Sequence, residues 1–402
     1  MSSTLVPFGI RQRPVAPARY LPQPPSPFVS QTLERAAQAL AEPFVGMTTE
    51  GHVVPDLFPL QQTGVSTQPI QAAADRFLAG LDDAQRTTAC FQIDADDWRR
   101  WNNTHPFILR HGLLLETLDW QQRERGLDLV RETLSQAGFQ TARDVMRLNQ
   151  TVGEITGSWD EYGEWLYWLS VFGTPSPDQP WGWQLDGHHL NLNCFVLKGQ
   201  VVLAPMFMGS EPTQAPVGTT YAGTRVFEAE EQGGLAFVRG LSAAQREVAV
   251  LFPSTRSTDL PPERWHPTEG RIQGRALRDN LEYPYEGLPA AELSADQRRR
   301  LLGLVETYVG RLRPGHDRVK MAEVERHLDQ THFLWMGGID EDSVFYYRVH
   351  SPVLWVEFDH LRGIALDNDE PARTHIHTVV RTPNGNDYGR DLLRQHYAAF
   401  HA

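Results

Sequence analysis

Six short runs rich in aromatic and β-branched residues constrain the fold more than anything else in the chain. They come in two groups: GEWLYWLSVFG, LNCFVLKG and QVVLAPMFMG, then THFLWMGG, SVFYYRVH and SPVLWVEF. Lys198-Gly199-Gln200 joins two of the first group as a hairpin turn. IDED and Ser351-Pro352 join the second group. Parallel neighbours need a crossover of a dozen or more residues, so links this short imply antiparallel pairing. The second group therefore forms a meander, and HIHTVVR adds a further strand.

The rest of the chain reads mainly as helix. Ser30–Ala41 is a short capped helix. Over Gln68–Leu81, Ile70, Ala73, Phe77 and Leu81 form one apolar stripe. Leu113–Ala137 reads as one long amphipathic helix stopped by Gly138, and Ala142–Ile155 as another. Leu241–Phe252 and Leu293–Leu312 both open Leu-Ser-Ala with Gln two residues on; this echo is read as two serine-capped helices and not as a repeat. Val319–Leu328 and the closing DLLRQHYAAF complete the set. The expected fold is α+β, an N-terminal helical region packed on a mainly antiparallel β body with additional helices. Prolines at 14, 17, 22, 24, 25 and 27 make residues 1–29 an extended arm. Residues 30–402 are expected to form a single integrated domain, helical over about 30–155 and β-rich over about 156–402.

A formal charge of −13 leaves no basic field to neutralise phosphates, which excludes a general nucleic-acid binder and a polybasic membrane anchor. No run of about 18 apolar residues suits a membrane span, and the first residues lack the apolar core of a signal peptide. Two cysteines, Cys90 and Cys194, cannot build a disulfide framework. The expectation is a cytoplasmic protein acting on or binding a small molecule, with oligomeric state left open. Asp94, Asp96 and Asp97 lack the glycine and terminal glutamate of a calcium loop and read as a capping cluster.

Chemistry concentrates in the histidines. His188 and His189 stand side by side in WGWQLDGHHLNLN, where strand alternation would turn them to opposite faces, His189 towards a cleft and His188 inward. His375 and His377 in THIHTVVR have the spacing that puts two imidazoles on one strand face. Glu357 lies inside the apolar run PVLWVEFDH and needs a partner: Arg348, a metal shared with the histidines, or its own proton. His188, His189, Glu357, His375 and His377 thus form a candidate ligand set for one divalent metal ion, zinc, iron or copper. Arg381 and Asp387 are candidate catalytic residues that would orient an anionic group, or would pair with each other. Trp181 and Trp183 would wall the substrate pocket. Two functions follow: a metal-dependent enzyme performing hydrolysis or oxidation, or a non-catalytic binder with an aromatic cleft in which the histidines only hydrogen-bond. No phosphate loop, dinucleotide fingerprint, nucleophile elbow or HExxH is present.

WGWQLDGHHLNLN, the PMFMGSEP stretch, FLWMGG, FYYRVHSPVLWVEFD and RTHIHTVVRTPNGNDYGRDLLRQHY together resemble the "domain of unknown function 3500" family, over about Ala36 to Tyr397. The resemblance implies no activity, since the family has none assigned, and it does not reach the proline-rich arm.

Overall fold

The computed structural model describes residues 11, 13–14, 25–104, 107–366 and 368–400. The arm expected over residues 1–29 therefore lies almost wholly outside the described residues. The first helix, Pro27–Ala41 (α1), starts three residues earlier than expected, because Ser26 Oγ accepts from Val29 N at 3.3 Å and Pro27 suits the first helical position.

The body is one α+β arrangement built twice. The first half runs Gln68–Ala79 (α2), Asp83–Ala89 (α3), Cys90–Phe91 (β1), Leu113–Leu114 (β2), Trp120–Thr133 (α4), Gln136–Thr156 (α5), Tyr167–Gly173 (β3), Trp181–Gly187 (β4), Leu190–Leu197 (β5) and Gln200–Ser210 (β6). The second half repeats that order: Glu228–Arg239 (α6), Ala243–Ala249 (α7), Val250–Phe252 (β7), Leu288–Pro289 (β8), Ala295–Val309 (α8), His316–Arg326 (α9), His332–Gly337 (β9), Phe345–His350 (β10), Trp355–Arg362 (β11) and Pro371–Arg381 (β12). Arg390–Phe400 (α10) closes the described chain.

All these strands join one 12-stranded sheet in the order β1-β3-β4-β5-β6-β12-β11-β10-β9-β7, with β2 beside β3 and β8 beside β9. The order reads the same from either end, so a pseudo-twofold axis passes between β6 and β12. The registers agree. Leu113, Leu169, Leu185, Leu192 and Met206 are paired in succession across the first half. Leu288, Phe333, Val349, Val356 and Val380 are paired the same way across the second. Side chains repeat as well. Asp82 with Gln85 and Asp119 with Gln122 close capping boxes, as do Ser242 with Gln245 and Ser294 with Gln297. The amide of Gln122 donates to Gln85 Oε1 at 2.9 Å, and that of Gln297 to Gln245 Oε1 at 2.8 Å.

The Leu-Ser-Ala echo read as two unrelated caps is therefore part of a genuine duplication. Its true counterparts are α7 with α3 and α8 with α4. The similarity escaped notice because it is confined to caps and turns, while the strands share only an apolar alternation. A second correction concerns Leu113–Ala137, which is not one helix. Asp119 caps α4, Ser135 caps α5, and Gly138 lies inside α5, with its N–H on Ser135 Oγ at 3.1 Å. The glycine that ends α5 is Gly157, at φ 78°.

The helices cover one face of the sheet, where Leu185, Leu192, Met206, Val349, Val356 and Val380 meet the helical stripes in a single apolar core. The opposite face is also buried, beneath residues 92–104, 107–112, 253–287 and 382–389, but it is strongly polar. Gln184, Asp186, Asn191, Asn193, Arg348, Glu357, Asp359, His375, His377 and Arg381 all lie there, each no more than 1% exposed. Buried ions cost several kcal/mol each unless paired. Three of them have ionic partners, Asp186 with Arg110, Asp359 with Arg271 and Arg348 with Glu286.

Candidate metal centre

His188 and His189 are not strand residues. They are the two-residue turn between β4 and β5, with Gly187 paired to Leu190, and His189 adopts φ 61°. The expected separation onto opposite faces is therefore overturned: a turn reverses the chain where a strand would alternate. The two rings stack instead, with centroids 4.0 Å apart and planes 30° apart. The turn is clamped by His189 N to Asn103 O at 3.1 Å, Gly209 N to His189 O at 2.8 Å, and Tyr167 hydroxyl to His188 O at 3.0 Å.

His375 and His377 share a face of β12, as their spacing requires. Across the β6–β12 pairing, His377 stands opposite Gly209, and the turn brings His189 over that glycine. The three Nε2 atoms converge, His189–His377 at 3.0 Å, His375–His377 at 3.0 Å and His189–His375 at 3.2 Å. With metal–nitrogen bonds of about 2.0–2.1 Å, such separations subtend roughly 90–105° at a central ion, between octahedral and tetrahedral angles. The three donors would occupy one side of the ion and leave the other side open.

For His375 the outer nitrogen decides the proton position. His375 Nδ1 lies 2.7 Å from Arg362 O. A carbonyl only accepts, so the proton sits on Nδ1 and the inward Nε2 carries a lone pair. His375 Nδ1 is also 3.5 Å from Glu211 Oε2, and His377 Nδ1 is 3.2 Å from Glu269 Oε2. Glu269 in turn receives Asn103 Nδ2 at 3.0 Å, and Glu211 receives the backbone N–H groups of Ile364, Ala365 and Leu366. Carboxylates and carbonyls behind imidazoles orient metal ligands and fix their tautomer. Burial, reinforced by the neighbouring imidazoles, holds His189 and His377 well below the ordinary histidine range, so both are neutral. Burial pushes the Glu269 carboxyl up.

Only glycine fits at 209. A Cβ there would lie 2.7 Å from Ile376 O, 2.9 Å from His377 Cδ2 and 3.1 Å from His189 Cδ2. Gly209→Ala is expected to displace an imidazole and weaken metal binding about 10- to 100-fold, the range for disturbed ligand orientation; competition against a chelating dye measures it.

The other candidates lie elsewhere. His188 Nδ1 meets Asn149 Oδ1 at 2.8 Å, and His188 stands behind His189, outside the converging trio. Glu357 is not with the histidines, nor does it pair with Arg348. Its carboxylate accepts four neutral donors, Tyr346 hydroxyl at 2.6 Å, Trp355 Nε1 at 2.7 Å, and Gln273 N and Gly274 N at 2.8 Å each. Arg381 spends its guanidinium on Asp387 at 2.8 Å, Asp279 at 2.7 Å and Gly274 O at 2.9 Å, the pairing alternative rather than an anion site. Trp181 and Trp183 lie in the apolar core on the helix-covered face, with Trp183 Nε1 on Thr133 Oγ1 of α4 at 3.1 Å. Strand parity puts them on the side away from His375 and His377.

Glu211, Glu269, Asn103 and Gly209 were missed in the sequence. Glu269 and Asn103 lie in long irregular loops with no period to read. Gly209 and Glu211 had a signal, since PMFMGSEP ends the strand that must face HIHTVVR.

Among the described residues no helix is long and apolar enough to cross a membrane. Comparison with curated proteins and with solved structures gives no match. A family model, described as a protein of unknown function, DUF3500, matches residues 63–390, inside the limits suggested by the sequence motifs. The chain belongs to the DUF3500 family.

Proposed function

We propose that His189, His375 and His377 hold one divalent ion, zinc, iron or copper, and that the chain is a metal-dependent enzyme acting on a small molecule. The observation that carries this is the convergence of three buried imidazole Nε2 atoms, of which that of His375 carries a lone pair because its Nδ1 donates to Arg362 O. At separations of 3.0–3.2 Å a single N–H can bridge one pair of these nitrogens, whereas one cation would satisfy all three at once.

The duplication supplies independent support. In register, the turn His188-His189 corresponds to Pro352-Val353, and the pair Asp359–His377 corresponds to Phe195–Val202. Those counterparts pack with Leu392 and Leu393 in a small apolar cluster. The pseudo-symmetric positions of His189 and His377 therefore hold valines, one in each half, which supports a role for the imidazoles beyond packing.

Such an ion supplies Lewis acidity for hydrolysis, or redox chemistry for oxidation. The chain's own residues position it: Arg362 O fixes His375, Glu269 stands 3.2 Å behind His377 Nδ1, and His188 backs His189. Asn103 Oδ1 is buried without a partner among the described residues, an acceptor beside the centre suited to a substrate N–H or O–H. Two free cysteines, one exposed, accord with a reducing cytoplasm.

Elemental analysis of untagged protein grown with each metal tests the reading. About one ion per chain is expected, and background levels in His375→Ala and His377→Ala. A wild type with no stoichiometric metal under any of these conditions refutes it and favours the aromatic-cleft binder.

A further inference from the structure

The two halves differ in one covering element. In the first half, α5 runs 21 residues and its Asn149 reaches the β4–β5 turn. Its counterpart α9 runs only 11 residues, and its Lys320 Nζ reaches the equivalent turn at Val353 O, 2.7 Å away. The shorter helix leaves a recess of about 60 Å³ between α9, α8, residues 58–63 and the centre of the sheet. Val201, Leu203, Met206, Val309, Leu354 and Val380 give it an aliphatic side, and Gln61, Gln200, Thr382 and Asn386 are among the polar residues that also line it.

One polar group in this wall lacks a partner. His316 is 3% exposed, lines the recess, and its Nε2 makes no hydrogen bond among the described residues. Its other nitrogen is bonded to the Ser66 backbone. Since the backbone carbonyl accepts, Nδ1 carries the proton and Nε2 offers a bare lone pair. A buried acceptor left unmade costs about 1–3 kcal/mol. Lys320 is already engaged by Glu323 at 2.5 Å and by Val353 O, so no unpaired cation is offered to an anionic ligand.

We propose that this recess is a binding site for a small neutral aliphatic molecule carrying a hydroxyl, which donates to His316 Nε2 while its hydrocarbon part packs on the strand and α8 side chains. At ~15 Å³ per water-sized volume, the space suits about four to six non-hydrogen atoms, the size of a short alcohol. Ligands this small bind weakly, with Kd on the order of millimolar. The site is separate from the histidine centre, and its occupancy does not depend on metal.

The test uses the full chain with 13C-labelled Leu and Val methyl groups. 1-Butanol is titrated against diethyl ether, which has a similar size but no hydrogen to donate. Saturable shifts at Leu203, Val309 and Leu354 with butanol, at least about tenfold weaker with ether, are expected. Leu203→Trp fills the recess and abolishes both responses. His316→Phe removes the preference for the alcohol. No saturable response to butanol overturns the proposal. So does equal response to both probes, which would show an apolar void whose histidine is served by water. The comparison in the wild type needs no variant, so it stands even if a substitution prevents folding.

Discussion

Replacing Arg381 by methionine is expected to destabilise the protein by about 3–5 kcal/mol, the usual cost of stranding buried partners of a charged group. Arg381 is fully buried and holds two carboxylates at once, Asp279 and Asp387. Methionine matches much of its length but returns nothing to either acid. Asp279 keeps Arg99 at 3.0 Å and the Tyr388 hydroxyl at 2.9 Å. Asp387 keeps only Thr382 N at 2.8 Å. Against a typical total of 5–15 kcal/mol, the variant would fold marginally or fail to accumulate. Urea denaturation of wild type and variant measures the difference. A loss below about 1 kcal/mol would contradict the structural role and return Arg381 to the list of substrate-binding candidates.

The second large effect comes from copying one half of the molecule into the other. His189→Val with His377→Val installs the side chains found at the pseudo-symmetric positions, Val353 for His189 and Val202 for His377. Metal content is expected to fall from about one ion per chain to background, because two of three ligands are gone. Measured without metal, the exchange of buried polar for apolar side chains is close to neutral, so the loss should stay at about 1–2 kcal/mol, the strain of a β-branched residue at the φ 61° of position 189. With metal present the wild type gains an advantage set by mass action, about 2.7 kcal/mol at a hundredfold excess over Kd. Calorimetric unfolding of both proteins, with and without chelator, separates the two contributions. A metal-free double variant weaker by more than about 4 kcal/mol, well beyond that backbone strain, would make the histidines structural and remove the duplication as support for a metal centre.

How far the sequence could be read follows from what each signal depends on. His375 and His377 were legible because a period of two needs only a strand, and the strand was marked by its β-branched neighbours. His189 was legible as a candidate, but its placement was argued from alternation along a strand that turns at that residue. Trp181 and Trp183 were expected to wall a pocket on their aromatic character alone, without asking which strand face they take. Glu357 illustrates a different limit. An acid in an apolar run must find partners, and the sequence offered charged ones; the structure uses four neutral donors, two of them backbone N–H groups from a loop about 85 residues upstream. Such loops carry no periodicity, which is also why Glu269 and Asn103 stayed hidden. The helices were readable wherever a capping residue preceded the apolar stripe, and the one long helix expected at Leu113–Ala137 failed because its two internal caps were not weighted above its amphipathic pattern.

The seam between the halves has a consequence for how the protein is made. Strand β6 is completed early, yet the neighbour that covers its outer edge, β12, lies roughly 160 residues further on, and synthesis at ~5–20 residues per second leaves that edge open for on the order of ten seconds or more. Phe207 and Met208 sit on it, flanked by Met206, so the emerging first half presents a sticky, unpaired border to every other chain nearby. The same seam makes the halves interdependent: a fragment ending after β6 keeps its meander and its helices but loses His375 and His377, two of the three converging imidazoles.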